Sequence, residues 1–138
     1  MNYNFHKDLP EGKQAEEEFI EILKGMGFEG QEPTIETNNT KTHDIKMSNG
    51  GFSLTFEVKW DKKAEETGNV AIEYECRGNP SGIAVTEADF WVQKVGEVFY
   101  LIPTKELKNL IENNEDFVHR TVTGGDFGSN TKMYLVKL

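Results

Sequence analysis

The sequence predicts an α/β domain: a mixed sheet flanked by helices, in the order αβββαβ, closed by a further helix and two strands. Three observations carry this. Residues 42–60 read as a β-hairpin with strict alternation in the second strand. An amphipathic helix precedes it. Strand and helix signals then alternate downstream, which is the pattern of a layered α/β sheet rather than of a bundle or a sandwich. At 138 residues the chain is expected to be one domain, large enough to bury a real core.

The first helix is expected over residues 12–28. Ala15, Phe19, Ile20, Ile22, Leu23 and Met26 recur at roughly helical spacing. Acids crowd the first turns, Lys24 comes late as the helix dipole prefers, and Gly25 and Gly27 end it. Glu17, Glu18 and Glu21 read as a solvated face. A short strand is expected at residues 34–36. The hairpin comes next, with residues 42–47 as its first strand, Ser48-Asn49-Gly50-Gly51 as its turn, and residues 52–60 as its second strand. Phe52, Leu54, Phe56, Val58 and Trp60 share one face of that strand, and Glu57 and Lys59 share the other. Residues 61–68 read as an exposed charged connection. Residues 69–76 form a third strand, with Glu73 and Glu75 on its polar face. Residues 77–82 form a turn or loop.

A second helix is expected over residues 86–95, because Thr86 and Asp89 stand at capping-box spacing. Residues 97–103 are apolar enough for a strand at the sheet centre. Thr104 can cap a helix over residues 105–113, with Leu107, Leu110 and Ile111 inward. Residues 117–123 and 132–138 close the chain as two strands.

Composition removes several classes of function. The single cysteine, Cys76, excludes an intrachain disulfide and a cysteine-rich zinc site, and fits a reducing compartment. No apolar run has membrane-spanning length, and the N-terminal residues lack the apolar stretch of a signal peptide, so a cytoplasmic protein with no membrane partner is expected. The formal charge of −9 opposes non-specific nucleic-acid binding, which leaves only a local basic rim as a route to a polyanion. Lys62, Lys63, Arg77 and Lys94 could form such a rim.

The chemistry concentrates in the hairpin. Folded in this register, it brings Asp44, Glu57 and Lys59 to one face. Two carboxylates beside a lysine suit a divalent metal and a phosphodiester: the acids hold Mg²⁺ and the amine supports a water or a phosphate oxygen. The acid-x-lysine tripeptide is weak evidence alone, since it recurs at Glu11, Asp44, Asp61 and Glu106. Only Glu57-Val58-Lys59 lies on a strongly alternating strand with an acid across a tight turn. The bland alternative is a solvated sheet face with cross-strand ion pairs. Trp60 and Trp91 read as core rather than as base-stacking platforms. His43 reads as structural, and nothing is assigned to His6 or His119.

Asp44, twelve intervening residues, then Glu57-Val58-Lys59 resembles the signature of the PD-(D/E)xK nuclease superfamily. The start Gly12-Lys13-Gln14-Ala15-Glu16 is similar to the opening of the first helix in its junction-resolvase-like members. Residues 68–92 resemble the third strand and second helix of small phage-type members. The resemblance covers residues 12–112; the tail from Asn113 lies outside it. His43 stands where the motif has proline.

The resemblance implies a restriction-endonuclease-like core and metal-dependent hydrolysis of DNA. Asp44, Glu57 and the Val58 carbonyl would bind one or two Mg²⁺ ions, with Mn²⁺ able to substitute, and Glu16 would complete the site. Lys59 would position the water or neutralise developing charge. Glu73, and with it Glu75, would face the same way if the third strand pairs with the second. Lys62, Lys63 and Arg77 would track the phosphates. A homodimer, no organic cofactor and a phage or mobile-element origin are also implied by the resemblance alone. No helix-turn-helix or zinc finger supplies sequence specificity, so selection of DNA structure is expected. Two other readings stay open. One is a non-catalytic module on the same fold binding nucleic acid or protein, which would have no need of all three site residues. The other is an RNA-directed nuclease.

Overall fold

The structure, a computed structural model, describes residues 11–26, 33–38, 43–124 and 130–137. Helix α1 (Glu11–Lys24) is followed by strands β1 (Thr34–Thr37), β2 (Ile45–Asn49) and β3 (Phe52–Trp60), then a single helical turn α2 (Ala64–Thr67). Strands β4 (Asn69–Cys76) and β5 (Asn79–Pro80) form a small hairpin, and a 3-10 turn spans Gly82–Ala84. Strands β6 (Phe90–Val95) and β7 (Val98–Pro103), helix α3 (Thr104–Asn113), and strands β8 (Val118–Gly124) and β9 (Thr131–Lys137) complete the order. Five strands form a mixed sheet in the order β1-β2-β3-β6-β7, and a second sheet is ordered β5-β4-β9-β8.

The predicted hairpin is present. Asn49 pairs with Phe52, so the turn is Gly50-Gly51, with Gly50 in the left-handed region at φ +64° that a two-residue turn demands. The alternation of β3 then divides the molecule. Phe56 and Val58 are buried against Ala15, Phe19 and Leu23 of α1, while Glu57 and Lys59 face the other way. The α1 stripe is narrower than its periodicity suggests, because Ile22 and Met26 stay exposed. Phe19 meets Phe56 edge-on at 5.2 Å and Phe99 at 5.7 Å, contacts worth about 0.5–1.5 kcal/mol each beyond area burial. A second core lies on the opposite face of β6, where Trp91 and Val95 pack with Val70, Ile72, Ile83, Leu107 and Val136.

Four expectations are overturned. Residues 86–95 form no helix. The Thr86 hydroxyl accepts from the Ala88 N–H, and the Asp89 carboxylate accepts from the Thr55 N–H, so both supposed capping residues are spent on a turn and on β3. From Phe90 the chain instead runs as strand β6, parallel to β3. It is buried from Trp91 to Val95, and burial on both faces erases the alternation that marks a strand in sequence. Strand β4 does not pair with β3 but with β9, in the second sheet. Strand β7 lies at the edge of its sheet rather than the centre, exposing Val98, Tyr100 and Leu101. Residues 61–68 are not wholly an exposed connection: Ala64 is fully buried, and the Asp61 carboxylate accepts the Ala71 N–H at 3.0 Å. The ends of the predicted first helix and of the predicted first hairpin strand fall outside the described residues. Among the described residues no helix is long and apolar enough to cross a membrane.

Candidate active site

Asp44 stands where β2 begins. Its N–H donates to the Phe56 carbonyl at 2.9 Å, and its Oδ2 accepts the Val58 N–H at 2.9 Å. The carboxylate is thereby tied to the β3 backbone one residue from Glu57. Glu57 and Lys59 project from the same face two residues apart, with Glu57 Oε2 and Lys59 Nζ at 3.3 Å. Glu57 is 7% exposed. Its Oε1 accepts the Thr86 hydroxyl at 3.3 Å, a partner that sequence reasoning placed only as a helix cap. The Thr86 oxygen is held in turn by the Ala88 N–H at 3.2 Å.

Burial, opposed by Lys59 and reinforced by the Asp44 charge, pushes the Glu57 carboxyl up to about 7. Glu16 is buried near the same charges. Its carboxyl is also raised, first by burial and then by Asp44, against the pull of Lys13 and Lys59. Glu16 Oε1 is enclosed with no hydrogen-bond partner among the described residues. Crowding of negative charge, not shortage of it, is the electrostatic character of this place.

The hairpin supplies one side of a cleft of about 270 Å³, through Asp44, Glu57 and Lys59. Glu73, Ser81, Gly82 and Val85 supply the other side. Glu73 therefore lines the cleft, but from the second sheet and across it, not through the pairing of the third strand with the second on which the expectation rested. Glu75 does not. A bulge separates it from Glu73, and its carboxylate pairs with Lys132 at 3.1 Å. Lys62 and Lys63 line an adjoining groove, together with Arg120, which sequence reasoning missed. Arg77 sits at the tip of the β4–β5 hairpin with φ +53° and lines neither depression. Lys94 is not on any rim. It is 2% exposed, and its ammonium binds both oxygens of Glu18 at 2.7 and 2.9 Å, so Glu18 is not merely a solvated acid either. His43 lies 3.4 Å from the Asn38 amide, His119 is exposed, and His6 lies outside the described residues.

The fold has a precedent among solved structures. A bacterial homing endonuclease, I-Ssp6803I, superposes on 92% of this chain and 76% of its own, with a TM-score of 0.56 and 21% sequence identity. The fold is restriction-endonuclease-like. It has a mixed central sheet with helices, and a second antiparallel sheet beside it. No protein-family model matches the chain, and no curated protein matches it by sequence.

Within this nuclease-like fold the cleft depends on Gly82. Its φ is +52°, and a Cβ there would run into the Glu73 carbonyl oxygen. Gly82→Ala is expected to destabilise the protein by about 2–3 kcal/mol, through backbone strain and the displaced β4 contact. It should also weaken any activity of the cleft, because Glu73 and Ser81 move apart. Thermal melting beside an activity assay checks both, and an alanine variant with unchanged melting would contradict the close approach.

Proposed function

We propose that this protein is a divalent-metal-dependent endonuclease that hydrolyses phosphodiester bonds in DNA. The observation that carries the reading is the joint placement of Asp44, Glu57 and Lys59 on one wall of a cleft, with Glu57 buried between the Lys59 ammonium and the like charge of Asp44. The restriction-endonuclease-like fold supports it.

The residues fit a hard cation. Carboxylate oxygens are the donors that Mg²⁺ takes, and the enclosed Glu16 Oε1, within reach of the Asp44 charge, adds negative charge that a cation relieves. Among the described residues no three His, Cys, Asp or Glu side chains are gathered as a ready-made metal cluster. The proposed donor set is Asp44, Glu57 and the Val58 carbonyl, with Glu16 one step further out. A bound Mg²⁺ or Mn²⁺ would supply Lewis acidity and a water acidified toward neutral pH.

The rest is the work of the chain. The Val58 N–H holds the Asp44 carboxylate along β3, and Thr86 holds Glu57, so neither acid needs to reorganise as charge develops. Lys59 is 39% exposed at its side chain, against 9% for Glu57, so its ammonium can reach a phosphate oxygen from within the cleft. There it would neutralise charge building on the phosphate. Glu73 faces the same space from the second sheet and can accept a proton from an attacking water. A second copy of the chain would serve the second strand of a duplex.

The substrate class is tested by presenting uniform duplex, branched and single-stranded DNA and the matching RNAs side by side in Mg²⁺. Cleavage of DNA, faster at branched or unpaired segments than in uniform duplex, is the expected result. Preferential cutting of RNA would move the assignment to a ribonuclease.

A further inference from the structure

Beyond Lys59 the cleft continues into a larger groove of about 760 Å³, and the two share Lys59 and Glu73. On one side lie β3 and β6, where Lys59 and Gln93 stand beside each other in register. On the other lie β8 and β9 of the second sheet, carrying Arg120.

One side chain lining this groove carries an unused donor. Gln93 Nε2 is enclosed and has no hydrogen-bond partner among the described residues. The orientation of the Gln93 amide is fixed by chemistry: the Trp91 indole N–H, which can only donate, binds Gln93 Oε1 at 3.1 Å, so the amide nitrogen must point elsewhere. Native proteins rarely leave such donors without an acceptor, and an absent ligand is one of the few explanations for it.

Charge points to the class of acceptor. In a protein of net charge −9, Lys59, Lys62, Lys63 and Arg120 all line this one groove. Of its two acids, Asp61 is already occupied by the Lys63 and Ala71 N–H groups at 3.1 and 3.0 Å, and Glu73 belongs equally to the acidic cleft. The acidic cleft therefore suits a cation, and the groove beside it suits an anion. A volume in the range of small-ligand sites suits a short length of one strand.

We propose that the groove holds an unpaired strand of nucleic acid as it continues from the scissile phosphate. Arg120 pairs with a phosphate, and Gln93 donates a neutral hydrogen bond to a backbone oxygen. The position of the scissile phosphate rests on the nuclease reading above; the strand-binding groove itself does not.

The test is equilibrium binding of a short fluorescein-labelled oligonucleotide, single-stranded and as a blunt duplex, to the whole protein at several salt concentrations. It is run in Ca²⁺ and again in EDTA, with Arg120→Ala and Gln93→Met beside wild type. The single strand should bind more tightly than the duplex. Arg120→Ala should weaken it about tenfold and reduce the salt slope by about 0.7, as expected for one phosphate contact on a single strand. Gln93→Met should weaken it about fivefold with the slope unchanged, because the lost donor is neutral. Wild-type binding in both folded variants, or preference for the duplex, overturns the proposal. If Gln93→Met fails to fold, Arg120→Ala on the exposed strand β8 decides alone. Cleavage plays no part in this readout, so an inactive protein that shows these losses contradicts the nuclease reading and leaves the groove standing.

Discussion

Lys94→Ala is expected to lower stability by about 3 kcal/mol, a fall of roughly 10 °C in melting temperature for a domain of this size. Lys94 is among the largest fully buried side chains, and a lysine in that position survives only with a partner. It has two. Glu18 takes its ammonium at 2.7 and 2.9 Å, and the Trp60 ring lies 3.7 Å from it. These contacts tie α1 to β6 and to the end of β3, the strand that carries Glu57 and Lys59. The figure sits at the lower end for a broken buried pair because the Glu18 side chain is 35% exposed and can be rehydrated. Lys94→Met, which keeps the stem, should lose less than Lys94→Ala. Equal melting temperatures for wild type and Lys94→Ala would show that the pair holds nothing together.

Glu57→Gln is expected to act on stability and activity in opposite directions. The Glu57 carboxyl is raised from 4.5 to about 7 in the folded protein, so the folded state binds this proton more tightly than the unfolded state. Stability from this group is fully present below about pH 4.5 and is lost as the pH rises through about 7. A neutral glutamine does not forfeit it. In the absence of divalent metal the variant should therefore gain on wild type from pH 5 upward, reaching about 2 kcal/mol at pH 8 after the lost Lys59 pairing is discounted. Near pH 4 the two should melt together. Mg²⁺ should raise the melting temperature of wild type at pH 8 and do little for the variant, since the carboxylate it would bind is gone. Cleavage should fall at least about a hundredfold in Glu57→Gln, and in wild type it should decline as the pH drops below 7. Melting curves across pH, with and without Mg²⁺, check the first part. A variant less stable than wild type at pH 8 would mean that Glu57 is held there as a satisfied structural ion.

The hairpin was legible because every level of the sequence agreed on it: alternation in β3, a two-residue glycine turn, and an acid at the right distance across it. That agreement placed Asp44, Glu57 and Lys59 on one face without knowledge of anything distant. What the sequence hid was long-range. Glu73 reaches the cleft because β4 belongs to a second sheet built with β9, a pairing across nearly half of the chain that no local pattern announces. Thr86 looked like a cap because Thr and Asp at that spacing usually are, and β6 looked helical because a strand buried on both faces does not alternate. Lys94 looked like a surface charge because lysines nearly always are. Its burial had one trace in the sequence, the position of a lone lysine inside the apolar run of β6. Gln93 shares that run, and Arg120 left no trace at all, since its importance comes only from the groove that two sheets enclose.

The most direct test of the central claim is nicking of supercoiled plasmid in Mg²⁺ or Mn²⁺, with wild type beside Lys59→Ala and Glu57→Ala and with EDTA controls. The account predicts nicking that requires the metal and falls at least about a hundredfold in both variants, while both still melt as folded proteins. Nicking that survives in the two variants, or a wild type inert on plasmid and on branched and single-stranded DNA alike, would contradict it.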